Sequence, residues 1–231
     1  QTQGICKNIN VRFQTIKTYW LPNGVDLNFY DPEKTKVSNW RQKYNFNTDD
    51  FIFMYAGIIG IAQGLETVLN AAKQFLNRPN IKFVLMGSGP EKTHLLNLKQ
   101  NMDLTNLVFI EPVTKSEMPS ILKTVDAAII PLRKLDLFKG AIPSKVFENL
   151  AMEIPILLGV DGEARNLFID KGNCGLYFEP ENETQLISSI NELISDKDKA
   201  KRLGENGRKF VNEHFNRENI AGSFYNVLKS L

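Results

Sequence analysis

A chain of 231 residues is long enough for one large domain or two small ones. With 42% hydrophobic and 23% charged residues it has an ordinary globular composition, and a net charge of +2 with scattered Lys and Arg leaves no electrostatic footprint for nucleic acid. Cys6 and Cys174 lie far apart and form no ligand or redox motif, which fits a reducing compartment, and the longest uncharged apolar run, Phe51 to Ala62, is too short to span a bilayer. No signal peptide is visible, and an opening Gln-Thr-Gln without Met is consistent with an excerpt from a longer protein.

In chain order, residues 1–20 carry scattered polar and apolar positions, with a short strand-like stretch ending near Trp20. A turn at Pro22-Asn-Gly-Val-Asp26 follows, then a polar connector with one short helix around Lys36 to Tyr44. From Phe51 the pattern becomes an alternation of strands and helices. Strands are predicted at Phe51–Ala56, Ile81–Met86, Leu107–Ile110, Ala127–Ile130, Ile156–Leu158 and Gly175–Phe178. Helices are predicted between them, and at roughly 182–195, 197–213 and 216–230. This order implies right-handed crossovers and a parallel sheet covered on both faces, an α/β Rossmann-like fold. Residues 1–50 read as an N-terminal extension and connector, and 51–231 as the Rossmann-like domain. Ligands in such folds bind beyond the carboxyl ends of the strands, which singles out the loops there.

The most informative of these runs from Phe138 to Pro155. Pro143 cannot lie inside a helix and Ser144 is a good N-cap, so a helix of roughly nine residues should begin there. Val146, Phe147, Leu150 and Ala151 recur at helical spacing and should face a core, while Lys145 and Glu148 share another face. A cation in a first helical turn is unfavourable unless an anion binds beside it. Lys145 for phosphate and Glu148 for the hydroxyls of a ribose suggest a nucleotide-sugar site, against the alternative of a plain surface Lys–Glu pair. The loop Gly57-x-x-Gly60-x-x-x-Gly64 matches neither a dinucleotide fingerprint nor a P-loop, and serves either phosphate or close packing. Gly87-Ser-Gly-Pro-Glu91 reads as a tight turn. Arg133, Lys134 and Lys139 flank the loop feeding the Lys145 helix, either reaching the diphosphate or simply solvated. His94 and His214 look isolated, and Asp196-Lys-Asp198 reads as helix capping rather than metal chemistry.

Together these pieces resemble the C-terminal half of a family 4 glycosyltransferase of the GT-B type. The resemblance is carried by Pro22-Asn-Gly-Val-Asp26 with Phe29 and Pro32; Tyr55-Ala-Gly57 with Gln63-Gly-Leu65; Leu85-Met-Gly-Ser-Gly-Pro90; Pro143-Ser-Lys-Val-Phe-Glu148; and Gly204-Glu-Asn-Gly-Arg208. Pro-Ser-Lys-x-Phe-Glu looks like the subgroup that transfers N-acetylated amino sugars in bacterial surface polysaccharide assembly. The resemblance implies a retaining transferase whose donor, a UDP-sugar, is bound by this half without a metal or cofactor. It also implies an N-terminal GT-B domain as partner, a glycan or lipid-linked acceptor, no nucleic acid, and a cytoplasmic location, with peripheral attachment to the inner face of the membrane open to the full-length enzyme. An excerpt of this kind should bind nucleotide and catalyse little.

Residue by residue, the resemblance puts Glu148 on the ribose and Lys145, Ser144 and the N–H groups from Ile142 onward at the diphosphate. Gly57 and Gly60 allow backbone approach, and Pro112 and Val113 hold the base. Two departures stand out. Gly140 replaces a second glutamate, so that contact to the donor sugar is either missing or supplied elsewhere, with Glu163 a candidate, and Ile58, Ile59 and Gln63 occupy a loop that usually carries Arg and Lys. The charge of the leaving group then rests on Lys145, with Lys139 or Arg133 as helpers. A nicotinamide-dependent oxidoreductase domain and a non-catalytic α/β interaction module are the alternatives.

Overall fold

The computed structural model describes residues 2–15 and 18–230. Two helices precede the sheet, α1 (Gln3–Arg12) and the single turn α2 (Trp40–Lys43). Then comes β1 (Phe51–Ala56), an apolar run whose alternate residues must be buried on opposite sides. Ile52 and Met54 enter one core, while Phe53 and Tyr55 enter the other. After it follow α3 (Glu66–Lys73), β2 (Ile81–Met86), α4 (Lys92–Asn101), β3 (Leu107–Ile110), α5 (Met118–Leu122) and β4 (Ala127–Pro131). The chain continues through α6 (Lys145–Ala151), β5 (Ile156–Gly159), a π-helical turn over Arg165–Lys171, and β6 (Gly175–Tyr177). It closes with α7 (Glu183–Ser195), α8 (Lys197–Phe215) and α9 (Arg217–Lys229).

The six strands are all parallel, in the order β3-β2-β1-β4-β5-β6. This is the α/β Rossmann-like sheet that the alternation predicts. Strand order reverses between β1 and β4, and a crevice opens there at the carboxyl ends. The loop after β1 and α6 after β4 therefore flank the switch point.

The expectations for the first 50 residues need correcting. Residues 3–12, whose scattered polar and apolar positions predict no element, form a helix in which Thr2 accepts the Ile5 N–H and the Glu163 carboxylate accepts those of Gln3 and Gly4. The strand-like stretch near Trp20 is not strand among the described residues, and positions 16 and 17 lie outside them. The predicted helix over 36–44 contracts to α2, whose Trp40 is buried. Val25 pairs with Asn216 as a lone parallel bridge, and Tyr30 and Phe46 also join a core, so the connector packs onto the domain.

The motif Gly204-Glu-Asn-Gly-Arg208 finds its structural reason here. A Cβ on Gly204 would meet the Glu153 carbonyl oxygen at 2.0 Å, and one on Gly207 would meet Leu150 at 2.6 Å. The two glycines let α8 close directly on α6. Arg208 then donates to the carbonyls of Ala151 and Tyr30, with Asp31 3.5 Å away. One guanidinium thus ties the end of α6 to the connector.

Candidate functional site

The loops after β1 and β2 interlock through their backbones. Gly57 N–H donates to Met86, Ile59 N–H to Ser88 and Glu91 N–H to Ile59. Gly87 has φ +150°, and a Cβ there would lie 1.8 Å from the Gly57 oxygen, so only glycine permits this approach. The loop after β1 turns back on itself through the Gln63 side chain, which accepts the Gly60 N–H at 3.2 Å.

Helix α6 buries Val146, Phe147, Leu150 and Ala151, as their spacing predicts, and is seven residues long rather than nine. Ser144 already has helical backbone angles and makes no capping hydrogen bond with its side chain. Lys145 and Glu148 are left half-buried on the face toward the crevice. The Lys145 ammonium stands 3.7 Å from the centroid of the Tyr55 ring, at the end of β1. A Cβ on Gly57 (φ +146°) would sit 2.8 Å from Lys145 Nζ. Among the described residues no carboxylate comes within ion-pair distance of this ammonium. Burial pulls its pKa down to about 7, only partly offset by the Glu148 charge.

Glu148 lines a cavity of about 320 Å³ with Gly57, Met86, Gly87, Pro112, Val113 and Met118. Met86, Pro112, Val113 and Met118 make part of its lining apolar. Gly57, Pro112, Val113 and Glu148 thus share one crevice, and the Lys145 ammonium lies beside it against Gly57. On its other side Glu148 borders a second cavity, with Tyr30, Ser144, Phe147 and Phe224. The Tyr30 phenol is buried without a hydrogen bond of good geometry, and burial followed by the nearby Glu148 charge pushes its pKa up.

Several expected contacts are engaged elsewhere. Glu163 holds the N-terminal amides of α1 at 2.7 and 3.1 Å, so its carboxylate does not stand free for a sugar. Lys139 is exposed and paired with Asp136 at 2.7 Å, Lys134 with Glu179 at 3.0 Å, and Arg133 with Glu66 at 3.5 Å. These helper cations each have a carboxylate partner, and they border a smaller depression near Val160. Gln63 is committed to its own turn. Gly60 has φ −128°, which any residue adopts, and what limits a side chain there is the Gln63 amide at 3.1 Å. Gly140 ends an exposed 3-10 turn, and a Cβ there would meet nothing within 4 Å. The Ile142 side chain is partly buried and packs against a core.

Two groupings are not evident from the sequence. Tyr55 reads as an ordinary strand residue, and the one signal of more is a hydroxyl at a position that phenylalanine could fill. His94 is not isolated: its Nε2 lies 3.8 Å from Glu66, and Glu91 joins them within 4.8 Å. Arg133 faces the same Glu66. Asp196 accepts the Lys199 N–H, in agreement with the capping reading. No helix among the described residues is long and apolar enough to cross a membrane.

Residues 36–210 match the family model described as Glycosyl transferases group 1. The O-antigen chain mannosyltransferase C of Escherichia coli is 21% identical over 215 residues, 93% of this chain and 55% of that protein. Sucrose-phosphate synthase of Thermosynechococcus elongatus, 22% identical, has a TM-score of 0.81 over 99% of this chain and 57% of its own. Alr3699/HepE of Anabaena, solved in complex with UDP-glucose, is 18% identical with a TM-score of 0.78, over 91% of this chain and 57% of its own. The chain spans about half the length of the curated relatives it matches. At these identities the structural likeness shows the fold.

Proposed function

We propose, for a chain that belongs to the Glycosyl transferases group 1 family, that it is the donor-binding half of a retaining glycosyltransferase of bacterial surface polysaccharide assembly, with a UDP-sugar as donor. The observation that carries this reading is the crevice at the β1/β4 switch point, where Glu148 shares a cavity with Pro112, Val113 and Met118 and the Lys145 ammonium lies beside its Gly57 edge. The base lies against Pro112, Val113 and Met118, and Glu148 accepts hydrogen bonds from the ribose diol. The diphosphate extends past Gly57 to Lys145, which takes up the negative charge released as the glycosidic bond to phosphate breaks. The Anabaena relative's UDP-glucose complex supports uridine as the base. The transferred sugar is held outside the cavity, where Gly140 leaves open space, and the acceptor is presented by an N-terminal GT-B domain. No metal is required, because the ammonium replaces it.

The test is thermal unfolding of the chain with nucleotides added singly. UDP raises the melting temperature and NAD does not. Equal indifference to UDP, GDP and ADP would remove the donor-domain reading, and stabilisation by NAD alone would favour an oxidoreductase domain.

A further inference from the structure

Tyr55 is buried, yet its side chain makes two polar contacts that no core residue requires. Its ring face lies beneath the Lys145 ammonium at 3.7 Å, and its hydroxyl donates to the Ile58 carbonyl at 2.5 Å. The first contact reaches α6 across the switch point, and the second reaches the loop following β1. We propose that Tyr55 is the positioning residue of this site, holding the Lys145 ammonium and the Gly57–Ile58 turn as one rigid unit set to receive a diphosphate.

The chemistry explains why an aromatic ring is suited to this task. An ammonium withdrawn from water needs a partner, and a carboxylate would supply one at the cost of neutralising it. Arg133, Lys134 and Lys139, more exposed, each have a carboxylate partner instead. A ring offers the negative face of a quadrupole but no net charge, so the cation is seated without being quenched. Lys145 therefore has no fixed counter-charge competing with an incoming anion, and the anion itself favours its ammonium form. The groups facing it are Glu148 from its own helix, Tyr55 from β1, and only backbone from the loop at Gly57. The phenol, pushed up by burial, stays protonated and remains a donor to Ile58. Phenylalanine would fill the same volume but leave the loop untied.

This inference rests on the donor-site reading, and the experiment separates the two. UDP and uridine are titrated calorimetrically into the wild type, Tyr55→Leu and Tyr55→Phe, at pH 6.5 and pH 8 in buffers of different ionisation heat. At pH 8 the wild type takes up a proton on binding UDP but not uridine. In Tyr55→Leu, UDP weakens roughly 3- to 30-fold at pH 6.5, where Lys145 is mainly charged in both proteins, while uridine is unchanged, and at pH 8 proton uptake disappears because Lys145, now wetter, is already charged. In Tyr55→Phe proton uptake persists, since the ring remains, while UDP weakens a few-fold through the untied loop. A residue with only a packing role would lower the melting temperature and leave both the UDP-to-uridine ratio and the proton uptake at wild-type values, which overturns the proposal. Should Tyr55→Leu fail to fold, NMR of the wild type decides: the Lys145 εCH2 protons are shifted upfield by the ring, and unshifted resonances overturn the seat. A wild type that binds no UDP overturns the donor site itself.

Discussion

Lys145 Nζ lies 3.7 Å above the ring of Tyr55, joining the helix after β4 to the strand that ends at the first glycine loop. An ammonium seated there is charged only up to about pH 7, against 10.5 for a free lysine. A diphosphate beside it favours the charged form and raises that value. UDP binding is thus strongest near pH 7 and weakens above it, by up to about tenfold per pH unit for one proton taken up. Uridine binding stays flat over pH 7–9. Calorimetry across that range checks the slope, and parallel pH profiles for both ligands would contradict the assignment.

The same group affects folding with a defined sign. Its folded pKa is depressed, so below about pH 7 the folded state carries the full penalty of a buried charge. Between pH 7 and 10.5 the unfolded chain binds more protons, and stability rises with pH from this source. Lys145→Met is therefore more stable than the wild type at pH 6.5, with an advantage that shrinks by pH 9. Urea unfolding of both proteins at the two pH values measures it. A difference independent of pH would mean that the ammonium is well hydrated.

Phosphate recognition separates from sugar recognition by substitution. Lys145→Ala lowers UDP affinity by about 1.5–3 kcal/mol, the scale of a hydrogen bond to a charged group, and spares uridine. Glu148→Ala costs a similar amount for UDP and for uridine alike. It also abolishes the preference for UDP over 2′-deoxy-UDP. A folded Glu148→Ala variant that still prefers the ribose form places the diol elsewhere.

Two helical glycines give opposite results. Gly204→Ala drives a Cβ to 2.0 Å from the Glu153 carbonyl, whereas Gly222 in exposed α9 has nothing within 4 Å. The first substitution destabilises, by about 1–3 kcal/mol as expected of overpacking, and loosens α6 enough to weaken UDP. The second stabilises by about 0.5–1 kcal/mol through helix propensity. Chemical denaturation distinguishes them, and equal effects would argue against direct α6–α8 packing.

The sheet was legible because each strand is an apolar run bounded by glycine, proline or a polar cap, and burial on both faces leaves little else for such runs to do. Val146, Phe147 and Leu150 likewise announced the buried side of α6 by spacing, and so the other face, on which Lys145 and Glu148 lie half-buried. What was not legible depends on distance along the chain. Glu163 and the amides of Gln3 and Gly4 are about 160 positions apart, and no local pattern ties a carboxylate to a helix start so remote. The partners of Arg133 and Lys139 similarly decide whether those cations are free, and sequence spacing alone cannot rank Glu66 or Asp136 against a diphosphate. Tyr55 looked like core because it is core. Its polar contacts arise from where α6 happens to land.

A crystal structure of the chain with UDP decides whether the crevice between β1 and β4 holds the nucleotide. The base is expected against Pro112 and Val113, the ribose hydroxyls within hydrogen-bond distance of Glu148, and the diphosphate in contact with the Lys145 ammonium. UDP bound at any other place, with this crevice left to solvent, would contradict that placement.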